Sequence, residues 1–209
     1  MSGNDDNREL VERAVAGDEA ALAEAFELYR PRLRRMVDLR MDHRLRARAD
    51  ASDVLQEAFV DMAKQISSYR ENQVEMPFFL WLRLVTGSRL AQVHRLHLGT
   101  EKRAVQREVP IQPAIPDASN VFLANELAGQ FTSADRGLRK EDACKKMEEL
   151  LNSMATEDRE IIAMRHFEEL STNEIATTLG MTRSGVLKRY GRAIKRLAEA
   201  AGDPSQFKA

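Results

Sequence analysis

Between Ser171 and Leu197 the chain reads S-T-N-E-I-A-T-T-L-G-M-T-R-S-G-V-L-K-R-Y-G-R-A-I-K-R-L. Its second half carries side chains suited to duplex DNA. From Arg183 to Arg196 there are six cations (Arg183, Lys188, Arg189, Arg192, Lys195 and Arg196) and no acid. On a helix, Arg183 and the hydroxyls of Thr182 and Ser184 stand near the N-terminus, where they can enter the major groove and meet base-edge acceptors. Lys188, Arg189 and Arg192, further along, would meet phosphates.

A recognition helix of this kind needs a second helix to present it. Ser171 and Glu174 have the spacing of a capping box. Ile175, Ala176 and Leu179 predict the inner face of a short helix, and Gly180 stands where the chain must turn with positive φ. Thr182 can cap the second helix, with Val186 and Ile194 facing inward. Ala176 is small where the helices cross, Gly180 follows four residues later, and Val186 six after that. This set matches the DNA-binding helix-turn-helix.

Two other groups could do chemistry. In Asp53-Val54-Leu55-Gln56-Glu57-Ala58-Phe59, helical spacing puts Asp53, Gln56 and Glu57 on one face and turns Val54, Leu55, Ala58 and Phe59 toward a core. The resulting acidic, hydrogen-bonding patch suits an Arg-rich partner surface. Tyr69, read as a loop residue, precedes Phe78, Phe79 and Trp81, with Arg83, Arg89 and Arg95 following. Aromatics beside cations can stack on unpaired bases and hold a phosphate backbone.

The elements that position these groups are all helical, and no stretch alternates as a strand. Residues 1–17 read as a polar tail. A helix is expected from Asp18 to about Met41, carrying Leu22, Phe26, Tyr29, Leu33 and Val37 inward, with Pro31 kinking it or starting another. A second helix runs from Ser52, its expected cap, to about Ile66, and Ser67–Pro77 reads as a loop. A third covers Phe78–Leu98, with Trp81, Leu84, Val85 and Leu96 on its apolar side and Arg83, Arg89, His94, Arg95 and His97 outside. Residues 100–140, with Pro110, Pro113 and Pro116, read as a long linker. A second helical unit follows over 141–201, with Thr156 capping one of its helices, and 202–209 read as a tail. The expected fold is all-α: two small helical domains joined by a long linker, the C-terminal one containing the helix-turn-helix.

Composition excludes several classes. Hydrophobic residues make up 43% and charged residues 31%, and the net charge is −1, so no global field draws the chain to nucleic acid. The charges are segregated instead. Arg30–Arg48 is densely basic, and acids gather at Asp50–Asp61 and Glu148–Glu160, which suggests separate surfaces for separate partners. The single cysteine, Cys144, cannot form an internal disulfide and fits a reducing compartment. The N-terminus has no apolar signal region, and Phe78–Val85 is far short of the ~20 apolar residues of a membrane span. A cytoplasmic protein without a membrane span is expected. His43, His94, His97 and His166 are scattered. With no phosphate loop, metal-ligand spacing or catalytic triad, the sequence reads as a non-enzyme with no cofactor and no metal.

Taken in order, these motifs resemble the extracytoplasmic-function sigma factors of bacterial RNA polymerase, over roughly 18–98 and 140–199. D-V-L-Q-E-A-F is similar to region 2.2 and Phe79–Arg95 (F-L-W-L-R-L-V-T-G-S-R-L-A-Q-V-H-R) to regions 2.3 and 2.4. E-I-A-T-T-L-G-M-T-R-S-G-V-L-K-R-Y-G-R-A is similar to region 4.2. The resemblance implies that Asp53, Gln56 and Glu57 dock on the clamp coiled coil of the polymerase largest subunit. Tyr69, Asn72, Trp81, Arg89 and Arg95 would handle the melted −10 strand, with Asn72 near a pocket for a flipped base. Thr182, Arg183, Ser184, Lys188, Arg189 and Arg192 would read the −35 duplex, and the linker would thread toward the RNA exit path. Implied partners are core RNA polymerase, promoter DNA and, as a candidate regulator, an anti-sigma factor. Ser88 and Gln92 depart from the family, where Asn and Asp are common. The linker pieces P-D-A-S-N-V-F-L-A and T-S-A-D resemble sigma factors of planctomycete-type bacteria. The rival reading is a two-domain transcriptional regulator whose N-terminal half senses a ligand or dimerises. It would share the helix-turn-helix and would not need D-V-L-Q-E before an aromatic, basic helix.

Overall fold

The computed structural model describes residues 2–45, 49–71, 76–98, 115–116, 119–120, 123–125, 127 and 137–201, and every regular element among them is helical. The chain divides into two compact units, Met1–Ala114 and Ile115–Ala209.

The first unit is built from α1 (Ser2–Ala16), α2 (Glu19–Arg40), α3 (Ala51–Glu71) and α4 (Phe78–Leu98). The stretch expected as a polar tail is α1, packed on α2. Leu10 and Val11 are half-buried and Ala14 is buried, a narrow stripe that composition alone does not reveal. Gly17 turns the chain at φ 106. Asp18 then caps α2, accepting the Ala21 N–H at 3.0 Å and Arg13 Nη2 at 2.6 Å. The Ala21 N–H and Arg13 hold its carboxyl below the usual range. α2 runs unbroken through Pro31, whose ring is exposed, while Leu22, Phe26, Leu33, Met36 and Val37 are buried.

α3 differs from expectation at both ends. Asp50, not Ser52, caps it: Asp50 Oδ1 accepts the N–H groups of Ser52 (2.6 Å) and Asp53 (2.9 Å). Asp53 Oδ2 in turn accepts the Asp50 N–H at 3.1 Å, completing a reciprocal cap. The N–H groups of Asp53 and Ser52 lower the Asp50 carboxyl pKa. Ser52 instead receives Arg34 Nη1 at 3.1 Å. At its far end α3 continues to Glu71, so Tyr69 is helical rather than in a loop. Helix α4 is covered on more than one side: Phe78, Phe79, Leu80, Trp81 and Leu82 are consecutive and buried. No single apolar stripe therefore sorts its faces. Arg83, expected outside, is buried, and Leu96, expected inside, is 72% exposed.

The second unit holds α5 (Gly137–Ser153), α6 (Thr156–His166), α7 (Thr172–Leu179) and α8 (Arg183–Ala201). Met147, Leu151, Ile161, Ile162, Ile175, Val186, Ile194 and Leu197 form its core. Burial of each large aliphatic side chain contributes about 2 kcal/mol. The N-cap of α6 is Ala155, with no side-chain cap, in place of the expected Thr156. Glu157 and Asp158 in the first turn complement the helix dipole instead. Part of the expected linker belongs to this core. Ile115, Leu123, Ala124 and Leu127 are buried, the Ile115 N–H donates to Glu160 Oε1 at 3.1 Å, and Asn120 Nδ2 donates to Asn152 Oδ1 at 2.7 Å.

Candidate nucleic-acid interface

The helix-turn-helix is assembled as its residues dictate. Ser171 Oγ accepts the Glu174 N–H at 3.2 Å while Glu174 Oε2 accepts the Ser171 N–H at 2.7 Å. Gly180 ends α7 in the left-handed region, at φ 62 and ψ 32, and its N–H bonds back to the helix. A residue with a Cβ is disfavoured there by about 1–2 kcal/mol. Thr182 Oγ1 accepts the Gly185 N–H at 3.1 Å, capping α8. Ala176, Val186 and Ile194 are all buried between the helices.

This packing leaves Thr182, Arg183, Ser184, Lys188 and Arg192 exposed along α8, with Lys195 and Arg196 beyond. Arg189 is placed otherwise. Its guanidinium turns onto the start of α6, Nε 3.3 Å from Asp158 Oδ1 and Nη1 3.8 Å from Glu157 Oε2, with the side chain 30% exposed. Arg189 is thus tied within the domain rather than presented outward. Tyr190 fixes the same side: its hydroxyl lies 3.1 Å from His166 Nε2 and the two rings stack. Burial pushes His166 down to about 4, so the ring packs uncharged at neutral pH. An Arg189→Ala change is expected to lower the stability of the second unit by about 0.5–1 kcal/mol. The salt slope of duplex binding should stay unchanged. Denaturant melts and a salt titration check this, and a reduced slope would return Arg189 to the phosphate-contacting set.

In the first unit Asp53, Gln56 and Glu57 are all exposed on α3, with Val54, Leu55 and Ala58 buried behind them. Phe59 is half-buried, its ring 5.0 Å from that of Phe26. Val60, 47% exposed, extends the same face by one turn. Gln56 also lines a shallow groove of about 380 Å³ with Phe26, Arg30, Ser52 and Phe59.

A second groove, of about 590 Å³, lies between α3 and α4 and is lined by Asp61, Gln65, Trp81, Ser88, Arg89, Gln92 and Arg95 among others. Ser88, Gln92 and Arg95 are exposed there. Trp81 shows only its edge: it is 6% exposed, 4.9 Å from the Tyr69 ring and 5.6 Å from that of Phe78. Tyr69 donates its hydroxyl to the Met76 carbonyl at 2.8 Å, and burial raises its pKa. Arg89 grips α3, Nε 2.8 Å from Asp61 Oδ2 with a second short contact from Nη2, and Nη1 3.4 Å from Glu57. Trp81 and Arg89 therefore form the groove's wall, with Tyr69 packed on Trp81, and Ser88, Gln92 and Arg95 its open rim. Asn72 lies outside the described residues.

The basic stretch near α2 is largely engaged within the chain. Arg32 stacks on Phe79 at 3.7 Å, Arg44 pairs with Asp42 at 2.8 Å, Arg34 lies 3.6 Å from Asp38, and Arg40 is fully buried. Sequence reasoning also missed the exposed apolar residues Leu28, Val60 and Leu187, because an apolar type in a helix is read as core by default.

Among the described residues no helix is long and apolar enough to cross a membrane, and no group of His, Cys, Asp and Glu could hold a metal ion. Residues 144–197 match the family model "Sigma-70, region 4". The ECF RNA polymerase sigma factor SigD of Mycobacterium tuberculosis is 30% identical over 197 residues, covering 93% of this chain and 84% of that protein. The RNA polymerase sigma-H factor of Pseudomonas aeruginosa is 22% identical over 203 residues, 96% of each. Among solved structures, CnrH in complex with the cytosolic domain of CnrY shares the fold, with a TM-score of 0.52 at 18% identity over 92% of this chain and 95% of that one. Likeness of that extent along the whole chain, on a complete helix-turn-helix, means that the protein belongs to the ECF RNA polymerase sigma factors.

Proposed function

We propose that this sigma factor divides its work among three surfaces. The exposed face of α3, Asp53, Gln56 and Glu57 extended by Val60, docks on core polymerase. The groove between α3 and α4 receives the −10 strand, with Ser88, Gln92 and Arg95 on its rim, Trp81 and Arg89 in its wall and Tyr69 supporting Trp81. Helix α8 enters the −35 major groove, with Arg183 and Ser184 at base edges, Thr182 capping the helix beside them, and Lys188 and Arg192 on phosphates. The observation that carries the reading is the outward face of α8 from Arg183 to Arg196, cationic and free of acids, on a fully capped helix-turn-helix. The reading gives the chain no chemistry of its own, includes an anti-sigma factor as regulatory partner, and places its action in the cytoplasm.

Such a division suits a net charge of −1. Neither head needs high affinity alone, because tethering through polymerase raises the effective concentration of each at the promoter. Run-off transcription with purified core polymerase is the test. The expected result is a stable holoenzyme with a defined start site on promoters bearing −35 and −10 elements. Absence of core binding, with the chain binding a palindromic site by itself, would favour a free-standing regulator.

A further inference from the structure

Helix α8 carries two exposed residues on its outward side that are neither cationic nor hydrogen-bonding, Leu187 and Gly191. Leu187 is 49% exposed, one helical turn after Arg183 and Ser184 and one turn before Gly191. Gly191 is exposed in the interior of the same helix, and a Cβ built there meets no atom within 4 Å. Its backbone does not use the positive-φ region; Gly17 and Gly180 do. Glycine in a helix interior is less stable than alanine. Among the described residues, neither a turn nor a neighbour requires it.

A single surface leucine is ordinary. This one stands in the middle of a face otherwise made of Arg183, Ser184, Lys188 and Arg192, all exposed. The cations and hydroxyl suit phosphates and base-edge acceptors; leucine suits neither. The major-groove edge of DNA offers donors, acceptors and one apolar group, the thymine 5-methyl. A glycine one turn along the same face removes the side chain that would hold a sugar–phosphate backbone off the helix.

We propose that Leu187 reads a thymine by packing on its 5-methyl group in the major groove, and that Gly191 opens the gap through which the sugar–phosphate backbone contacts α8. The proposal rests on the docking of α8 in the −35 duplex and adds a base preference to it.

The test uses holoenzyme made with the full chain and a promoter duplex that wild-type holoenzyme recovers from a random-sequence pool. Each thymine of the −35 half is replaced singly by deoxyuridine, which lacks the methyl. At one position wild type is expected to lose about fourfold in affinity, the scale of one buried methyl. Leu187→Ala is expected to bind the thymine and deoxyuridine duplexes equally at that position. Gly191→Ala is expected to raise the melting temperature of the free protein by ~2 °C or more. The same change should weaken duplex binding several-fold, opposite signs that a purely structural role would not give. Leu187→Ala keeping a deoxyuridine penalty at every position where wild type has one would overturn the proposal. So would wild type showing no such penalty, or Gly191→Ala binding undiminished. Lys188→Ala separates the two levels. If it loses neither affinity nor salt slope, the docking of α8 itself fails; if it loses both while Leu187→Ala behaves as wild type, only the thymine assignment fails.

Discussion

Reversing two charges on the recognition helix, Lys188→Glu with Arg192→Glu, is expected to abolish −35-dependent initiation. Both side chains are exposed and lie about one turn apart on α8. Each phosphate contact contributes about 0.9 to the slope of log affinity against log salt on duplex DNA. Loss of two should therefore reduce the magnitude of the slope by about 2. Reversal adds repulsion at both phosphates, so occupancy should fall by roughly a hundredfold or more at physiological salt. The fold should survive, because neither residue packs in the core. Salt-dependent binding of holoenzyme to promoter duplex, with a thermal melt of the free protein, measures both. A loss of affinity that leaves the slope unchanged would point to misfolding rather than lost phosphate contacts. This outcome should also differ from Arg189→Ala, whose side chain is held by Asp158 and Glu157.

The second large effect is expected on α3. Gln56→Ala with Glu57→Lys should weaken core-polymerase binding by at least tenfold, about 1.4 kcal/mol or more. It should leave duplex binding by α8 untouched. These two residues make a cleaner test than Asp53. Asp53 Oδ2 accepts the Asp50 N–H at 3.1 Å, so its removal would loosen the start of α3 as well as the docking face. Glu57 also lies 3.4 Å from Arg89, but Asp61 holds that guanidinium at 2.8 Å and would keep α4 in place. Binding to immobilised core polymerase checks the prediction. Unchanged binding would remove this face from the docking surface.

Together the two variants separate the surfaces. The first should give a holoenzyme that does not select its promoter. The second should give a DNA-reading domain that is not delivered to one.

The helix-turn-helix was legible because each of its parts follows from short-range physics. Ser171 and Glu174 cap within one turn, Gly180 is where a left-handed residue is needed, and Val186 sits at the spacing that fills the crossing. The outward face of Asp53, Gln56 and Glu57 was legible for the same reason, since helical periodicity alone sorts it from Val54, Leu55 and Ala58. The motif order was enough to identify a sigma factor, and the relatives bear that out.

What the sequence could not assign was the partner of each charge and each aromatic. Arg189 looks no different in sequence from Arg192, yet folding brings α6 acids beside one and leaves the other in solvent. Nothing in the sequence pairs Arg89 and Trp81 with α3, whose Asp61 and Tyr69 hold them. α1 and the segment around Leu123 looked polar or irregular because their apolar stripes are too short to stand out. They are ordered by α2 and by the second unit's core, respectively. The sequence by itself determined the two helices of the helix-turn-helix, where the turn between α7 and α8 falls, and which family the chain builds, because caps, glycine turns and 3.6-residue periodicity act within a few residues. Only the tertiary structure decided which cations stay exposed and which are paired within the domain, because a charge interacts most strongly with whatever the fold places within about 4 Å of it.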